Sequence, residues 1–543
     1  MSGFDSRETP MPQQHSSLAR TSLFLGGCTA LSRLMGLLRD MVMAWLVGGG
    51  LAADALVAAM RVPHILRRLL AEGSLSMTLT AAIVQQEHVC PGGERALVRA
   101  VAVRLGGLLA LLLAAGWLGA PWLLEALAPG LGLEGERMAA SLFRLCLPYA
   151  VAAVMAAVSM AALHSKGAFF WPAVSPLIFN GVILLFAVAA ALGFGNAAVL
   201  LAGGLTCAGF VQWIVQARAA HCVLVPSPVE VVSPRRQAVR ERRIRRAAVS
   251  CLRRLPPGIL GAAAPQLATL AAMMVASFGC VGSMAALYYA ERLMELPLGV
   301  IGVCLGMASL PRLSHLAAEN DWAGFGAQLG TALRLALLFG LAATAGLAAV
   351  GPDLVDILLG HGAFGPEAVR ASVLALWAYL PGLPACAVAR PLLAACNAAG
   401  AWRATAWGAL GAIAITAGAG FALAWGLPAT LDVCAPALAV SIGMWAHAFF
   451  LWWALHRRRR RGALPFGRLF SPAGVARACT AGAAAGLAAW GVLAGLHALA
   501  ADSIHALTLP PACAAGVGAW LLTLAVLRDA DMLTVWRMLR HRT

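Results

Sequence analysis

The stretch LGGLLALLLAAGWLGAPWLL, residues 105–124, contains no charged side chain. A transmembrane helix needs about 20 predominantly apolar residues, so this stretch is long enough to cross a bilayer. Comparable stretches follow one another from about residue 21 to about residue 527, and we count about fourteen of them. They lack the alternation of a barrel strand, and a backbone in lipid must satisfy its own hydrogen bonds. The sequence therefore predicts an all-α integral membrane protein.

The composition supports a membrane class and excludes a nucleic-acid-binding one. Of the 543 residues, 61% are hydrophobic and only 12% are charged, whereas a soluble domain carries about 25% charged residues. The net charge is +17, but most of the 40 basic residues fall in the tails and in loops on one side. This asymmetry follows the positive-inside rule and predicts a membrane protein with both termini in the cytoplasm.

Several kinds of segment and site are not indicated. The first twenty residues are polar and the first apolar segment is long, so we expect an uncleaved signal anchor. The 13 cysteines are scattered without a CxxC pair, which indicates neither a zinc site nor a disulfide framework. The absence of a GxxxxGK[ST] motif argues against ATP hydrolysis by this chain.

The chain divides at two basic clusters, Arg235–Arg254 and Arg457–Arg461, which we expect to fix topology and to contact anionic lipids. The first cluster follows three prolines and is predicted to form an amphipathic helix on the membrane surface. The predicted order is a cytoplasmic tail over 1–20, six helices over 21–223, a basic linker over 224–250, six helices over 251–456, a basic loop over 457–471, two helices over 472–527 and a cytoplasmic tail over 528–543.

A weak internal repeat suggests that the two six-helix parts arose by duplication. The heptapeptide Ala55–Arg61 matches Ala286–Arg292 at four of seven positions. Each heptapeptide opens the predicted second helix of its half. Transporters built from two such halves bind their substrate between them.

Charged residues inside the predicted helices are the main functional signal. An arginine at the bilayer centre costs roughly 2.5–3.5 kcal/mol, so several facing lipid would be prohibitive. They are expected to line a shared hydrated cavity, partly paired with nearby acids. Since a planar guanidinium suits phosphate oxygens, the cavity predicts an anionic, phosphate-bearing substrate. The candidate arginines are Arg33, Arg39, Arg61, Arg67, Arg292 and Arg390, and the candidate gate or ion-pair acids are Asp40, Asp54, Glu72, Glu291 and Glu295.

Some of these residues have simpler structural interpretations. Arg39 and Asp54 are predicted to form an ion pair between the first two helices, and Arg67 or Arg68 can snorkel to the interface. The glycines of the first helix, Gly26, Gly27 and Gly36, are candidates for a hinge, with close helix packing as the alternative.

Three segments carry a resemblance to the MurJ (MviN) lipid II flippases of the MOP exporter superfamily. The motifs SRLMGLLRD (32–40), PHILRRLLAEGSLS (63–76) and YYAERLMELP (288–297) resemble that family's SRxLGxxRD, PNxLRRxxAEGxxS and YYADRLMEFP. The chain departs from the pattern at His64, where the family has Asn, and at Glu291, where it has Asp. Arg61 and Arg390 fall where the family often has Lys.

The resemblance implies a V-shaped arrangement of two six-helix lobes plus two C-terminal helices. It implies flipping of undecaprenyl-diphosphate-linked lipid II, with Arg33, Arg39, Arg67 and Arg292 at essential positions and Asp54 near the outer gate. No cofactor is expected beyond a coupling ion (sodium, proton or chloride) or the membrane potential. Expected partners are lipid II, membrane lipids and the cell-wall synthesis machinery, with no nucleic acid.

Four alternatives stay open from the residues. A related exporter of another lipid-linked oligosaccharide would use the same fold and a similar cationic cavity. A drug antiporter of this fold would need more acids, and a polytopic enzyme acting on lipid-linked sugars would need a carboxylate pair or a metal site. A structural scaffold would not need arginines in the membrane.

Overall fold

The computed structural model describes residues 13–70, 74–89, 92–224, 234–253, 255–460, 472–499 and 505–527. These residues are almost entirely helical and contain no strand, which confirms the all-α class. Three short 3-10 helices lie at Pro129–Leu131, Leu380–Gly382 and Ala429–Leu431. The α-helices are α1 (Gln13–Val47), α2 (Leu51–Leu70), α3 (Ser74–Val89), α4 (Glu94–Leu118), α5 (Ala120–Leu127), α6 (Gly132–Cys146), α7 (Pro148–Ser165), α8 (Phe170–Ala191), α9 (Ala197–Val223), α10 (Pro234–Arg253), α11 (Leu255–Ser277), α12 (Ser283–Ala318), α13 (Trp322–Leu359), α14 (Pro366–Tyr379), α15 (Leu383–Ala398), α16 (Trp402–Gly426), α17 (Cys434–Arg460), α18 (Pro472–Leu499) and α19 (His505–Val526).

Ten stretches of the described residues are long and apolar enough to cross a membrane. Helices α1, α2 and α12, which carry most of the candidate charges, are not among these ten. The chain is therefore a multi-pass membrane protein, whereas the count of fourteen spans stays a prediction.

Contacts group the chain into two compact units that cut across its linear order. The first unit contains Met1–Val42, Leu66–Ala114 and Cys146–Leu255. The second contains Met43–Ile65, Ala115–Leu145 and Pro256–Thr543, so parts of α1 and α2 pack with the second half of the sequence. The division into 21–223 and 251–456 stays a prediction, because these units follow contacts rather than repeats.

The first unit is built around α7, which packs against α3 and α9. Its sequence is apolar or small around nearly the whole circumference, as expected for a helix enclosed by others. Close approach to α9 depends on a glycine, since a Cβ on Gly209 would lie 2.6 Å from the ring of Tyr149. Helix α8 packs along α9, and α10 lies against α3.

The second unit contains the remaining long helices, with α12 packed against α13, α14 and α15. The two C-terminal helices α18 and α19 pack against each other and against α13. Small residues allow this contact, because a Cβ on Gly482 would lie 3.3 Å from the Cβ of Leu341. A cluster of Val350, Ala489, Leu493 and Ala512 fills the space between the three helices.

Candidate functional site

In the first unit, a polar group holds α1 against α8. The Arg39 guanidinium donates to the Asp40 carboxylate at 2.7 Å and to the amide oxygen of Asn180 at 3.3 Å. The Asn180 amide nitrogen donates back to the carbonyl oxygen of Ser32 at 3.2 Å. Asn180 thus satisfies polar groups from two turns of α1, and its position on α8 fixes how α1 approaches.

The hinge glycines lie on an uninterrupted helix. Helix α1 is continuous through Gly26, Gly27 and Gly36. A Cβ on Gly26 or Gly27 would meet nothing within 4 Å, so close packing does not explain these two glycines. At Gly36 a Cβ would lie 3.8 Å from the Asn180 amide nitrogen, an ordinary contact. A hinge at these positions stays a prediction.

Two of the six candidate arginines lack a carboxylate partner among the described residues. Arg33 on α1 is exposed and makes no ion pair there. Arg390 on α15 is also exposed, and its guanidinium donates to the carbonyl oxygen of Leu298 on α12 at 3.3 Å. Arg67 and Arg68 at the end of α2 are half-buried, and Glu72 lies outside the described residues.

In the second unit, Asp54 caps a helix that lies far away in sequence. Its carboxylate accepts hydrogen bonds from the backbone amides of Gly282 at 2.6 Å and Ala285 at 2.8 Å. These amides begin α12, where unsatisfied N–H groups and the helix dipole favour an anion. The Asp54 side chain is buried, with a relative exposure of 3%. The structure gives Arg39 and Asp54 other partners than the ion pair that the sequence predicts.

A second bond joins the same two helices further along. Arg61 on α2 and Glu291 on α12 form an ion pair at 2.8 Å, with side-chain exposures of 13% and 12%. We call this pair, together with the Asp54 cap, the α2–α12 contact. Arg61 is thus neutralised, as predicted for part of the cationic set.

Arg292 follows this pair on α12 and has different neighbours. Its guanidinium bonds the Glu295 carboxylate at 2.8 Å and lies 4.8 Å from the centre of the Tyr288 ring. Both of these contacts lie on α12 itself, so they orient the cation along the helix.

The α2–α12 contact gives the internal repeat a structural meaning. The repeat aligns Asp54 with Ala285 and Arg61 with Arg292, and the bonds join Asp54 to Ala285 and Arg61 to the residue before Arg292. From Asp54 to Arg61 α2 rises about 10 Å, and α12 advances by a similar distance. The two equivalent helices therefore lie side by side, parallel and nearly in register.

Glycines let backbone segments meet beside this contact, a feature that sequence reasoning missed. The Ala363 amide donates to the carbonyl oxygen of Trp45 at 2.9 Å. A Cβ on Gly48 would lie 2.5 Å from the Ala363 carbonyl oxygen, and one on Gly282 would collide with the Gly49 carbonyl oxygen. We call these close approaches, of Trp45 and Gly48 to Ala363 and of Gly49 to Gly282, the glycine contact. The run Gly48-Gly49-Gly50 was its available sequence signal.

Comparison with known proteins identifies the family. The sequence profile described as "Lipid II flippase MurJ" matches residues 43–505 of the 543 residues. The chain belongs to the MurJ lipid II flippase family. It is a transporter rather than an enzyme, in agreement with the sequence prediction. No group of His, Cys, Asp and Glu side chains that could hold a metal ion occurs in the part of the chain that the structure describes.

MurJ relatives and MOP-superfamily structures agree with this assignment. A "Probable lipid II flippase MurJ" from Vibrio cholerae is 30% identical over 382 residues, covering 67% of this chain and 70% of the relative. A "Lipid II flippase MurJ" from Burkholderia cenocepacia is 30% identical over 373 residues, covering 68% and 70%. The structure titled "Lipid II flippase MurJ, inward closed conformation" superposes with a TM-score of 0.74 at 18% identity, covering 93% of this chain and 99% of that one. A MATE-family multidrug transporter of the MOP superfamily gives 0.60 at 16% identity, covering 80% and 99%. The predicted fold family is confirmed.

Proposed function

We propose that this chain transports lipid II from the cytoplasmic to the outer leaflet of the bacterial inner membrane by alternating access. Membership of the MurJ family and the names of its relatives support this substrate. The observation that carries the proposal is the pair of exposed arginines, Arg33 and Arg390, that lack a carboxylate partner among the described residues. In a membrane protein, guanidinium groups without a carboxylate partner face the bundle interior or a water-filled cavity and mark a substrate or ion pathway.

The diphosphate of lipid II supplies that anion. Planar guanidinium groups bind phosphate oxygens in pairs of parallel hydrogen bonds, which gives both affinity and orientation. Arg33 in the first unit and Arg390 in the second are each, within their own unit, a proposed contact for a phosphate oxygen, and Arg39, Arg67 and Arg292 are further candidates. The undecaprenyl tail stays in lipid while the head group crosses, so no bond is made or broken.

The α2–α12 contact is the proposed gate. Asp54 and Arg61 come from the first half of the sequence, whereas their partners Gly282, Ala285 and Glu291 come from the second. By the predicted topology these bonds lie towards the outer face. A head group leaves on that side only after the bonds break, and their loss is offset by hydration of the freed groups.

The energy source and the partners remain proposals as well. An ion gradient (sodium, proton or chloride) or the membrane potential would drive the cycle. Both termini of the chain would lie in the cytoplasm. Enzymes of cell-wall synthesis would supply lipid II on one side and consume it on the other.

Complementation tests this function. The chain is expressed in a bacterium depleted of its own lipid II flippase, and lipid II at the outer face is assayed with an enzyme that cannot cross the membrane. Wild type should restore exposure, and Arg33→Ala or Arg390→Ala should each reduce it at least tenfold because each removes a charge-assisted phosphate contact of about 1.5–3 kcal/mol.

Two controls make the result specific. Arg33→Lys and Arg390→Lys keep the charge, so they should retain more activity than the alanine variants. Arg235→Ala removes an exposed arginine from the linker helix and should leave exposure unchanged. If correctly inserted wild type restores nothing, the substrate is instead another lipid-linked oligosaccharide.

A further inference from the structure

The basic linker contains a helix that is docked, not merely attracted to the membrane. Helix α10 carries eight arginines and one glutamate. It buries Ile244, Ala248 and Cys251, spaced by four and three residues, and it packs against α3. This single apolar stripe fixes the rotation of α10, so specific arginines are presented beside α3.

A cavity of about 590 Å³ lies between the two helices. This volume is within the range of roughly 300–1,000 Å³ for small-ligand sites. An adjoining cavity of about 520 Å³ contains Arg242, Arg245 and Arg253 and shares two residues with the first. The polar residues of the first cavity are Thr78, Gln85 and Gln86 from α3 and Arg243, Arg246 and Ser250 from α10.

One polar side chain of this cavity is buried without a partner. Gln86 has a relative exposure of 5%, and its Nε2 makes no hydrogen bond to the described residues. A buried amide N–H of this kind is costly unless an acceptor reaches it. Gln86 lines the cavity, so a rotation of its side chain would bring the amide N–H to an acceptor bound there.

The electrostatics of the cavity select an anion. Among the residues that the structure describes, no acidic side chain lines either cavity. The neighbouring acid of α3, Glu87, is bound to Lys166 at 2.6 Å, the only lysine of the chain. Two guanidinium groups, an unsatisfied amide and two hydroxyls therefore converge without a built-in counter-ion.

We propose that this cavity binds the phosphate group of an anionic membrane phospholipid. Arg243 and Arg246 contact the phosphate oxygens, and Gln86 donates its free N–H to the same group. The cavity also has an apolar wall of Ala81, Ala82 and Val89, which a glycerol backbone and the upper acyl chain contact and a free phosphate ion does not. The bound lipid fastens the linker to α3 at the membrane surface. This site is separate from the transport arginines and does not rest on the proposed function.

The test is lipid binding to the purified full-length chain, measured by native mass spectrometry with phosphatidylglycerol and with phosphatidylcholine. Wild type should bind phosphatidylglycerol in preference. The variant Arg243→Gln/Arg246→Gln should weaken that binding roughly tenfold or more, since each basic residue near a lipid surface contributes about fivefold. Gln86→Leu, which keeps the net charge, should weaken it as well.

The matched control is Arg235→Gln/Arg240→Gln, which removes the same charge from the same helix outside both cavities. Equal losses in the two double variants would mean diffuse attraction and would overturn the site. Unchanged binding by Gln86→Leu would also overturn it. Inorganic phosphate is the remaining competitor: displacement of phosphatidylglycerol by millimolar phosphate would reassign the cavity to a soluble anion, and its failure to displace supports the lipid.

Discussion

At the scale of single residues, the buried carboxylate of Asp54 does the work of a capping residue that α12 lacks. The N-cap position of α12 is Gly282, which has no side chain to accept its amides. Asp54 supplies both acceptor oxygens from another helix. The sequence identified Asp54 as unusual, because it places a carboxylate near the start of an apolar helix. It could not identify the partners of Asp54, because these are backbone amides, which every residue except proline carries.

Removing this cap should therefore cost more than removing an ordinary one. Asp54→Ala leaves two buried amides unsatisfied, at about 1–3 kcal/mol each. Asp321→Ala is the matched control, because Asp321 caps its own helix α13 from an exposed position and should cost about 1 kcal/mol. Thermal unfolding of the purified variants measures both, and equal losses would show that burial of Asp54 adds nothing.

The Arg61–Glu291 pair should behave as a coupled unit. Arg61→Ala leaves a largely buried carboxylate without its cation and should destabilise the protein by about 3–5 kcal/mol. Arg61→Ala/Glu291→Ala removes both charges and should recover most of that loss. A double-mutant cycle on unfolding measures the coupling, and strictly additive losses would contradict a direct interaction.

At the scale of helices and loops, the sequence predicts well which segments are helical and predicts poorly which helices pack against each other. Apolar length identified the helices, and isolated charges within them predicted a functional role for α1, α2 and α12. The packing of one helix against another depends on side-chain shape and on the space between the backbones. The hydrophobic periodicity of a sequence carries no information on either. Asn180, for example, reads as one polar residue in an apolar helix, whereas it fixes α1 through Arg39 and Ser32.

The glycine contact illustrates the same limit and provides a test. Gly282 has a φ of +94° and faces the carbonyl oxygen of Gly49, so Gly282→Ala is both strained and too large. We expect a loss of about 1–3 kcal/mol from the backbone conformation alone and reduced lipid II exposure in the complementation assay.

Gly50→Ala is the control for this substitution, because a Cβ at Gly50 meets nothing within 4 Å and its φ is not positive. It should be tolerated in both stability and complementation. If Gly282→Ala were tolerated equally, the close approach of these loops would not be a requirement of the fold.

At the scale of the whole molecule, the internal repeat and the two compact units divide the chain at different places. The repeat divides the chain at the basic linker, whereas the contacts place Met43–Ile65 with the second half. A gated transporter reconciles them, because parts of the first half must engage the second at the closed end and release it when access changes. In the proposed alternating-access cycle, the bonds of the α2–α12 contact and of the glycine contact are the ones that break.

A reversible cross-link tests that conclusion directly. A Cβ on Gly48 would lie 3.2 Å from the Cβ of Ala363, close to the roughly 3.5–4.5 Å of a disulfide, so Gly48→Cys/Ala363→Cys should cross-link on oxidation. The same Cβ would lie 2.5 Å from the Ala363 carbonyl oxygen, so Gly48→Cys lowers stability by itself and the reduced double variant is the reference for activity. Oxidation should stop lipid II exposure and a reductant should restore it. Gly482→Cys/Leu341→Cys joins α18 to α13 at a similar 3.3 Å, in a contact that the gate does not involve, and should stay active when oxidised. The single-cysteine variants exclude reaction with the 13 native cysteines. Full activity in the oxidised Gly48→Cys/Ala363→Cys protein would mean that this end stays closed throughout transport, and the head group would have to leave by another route.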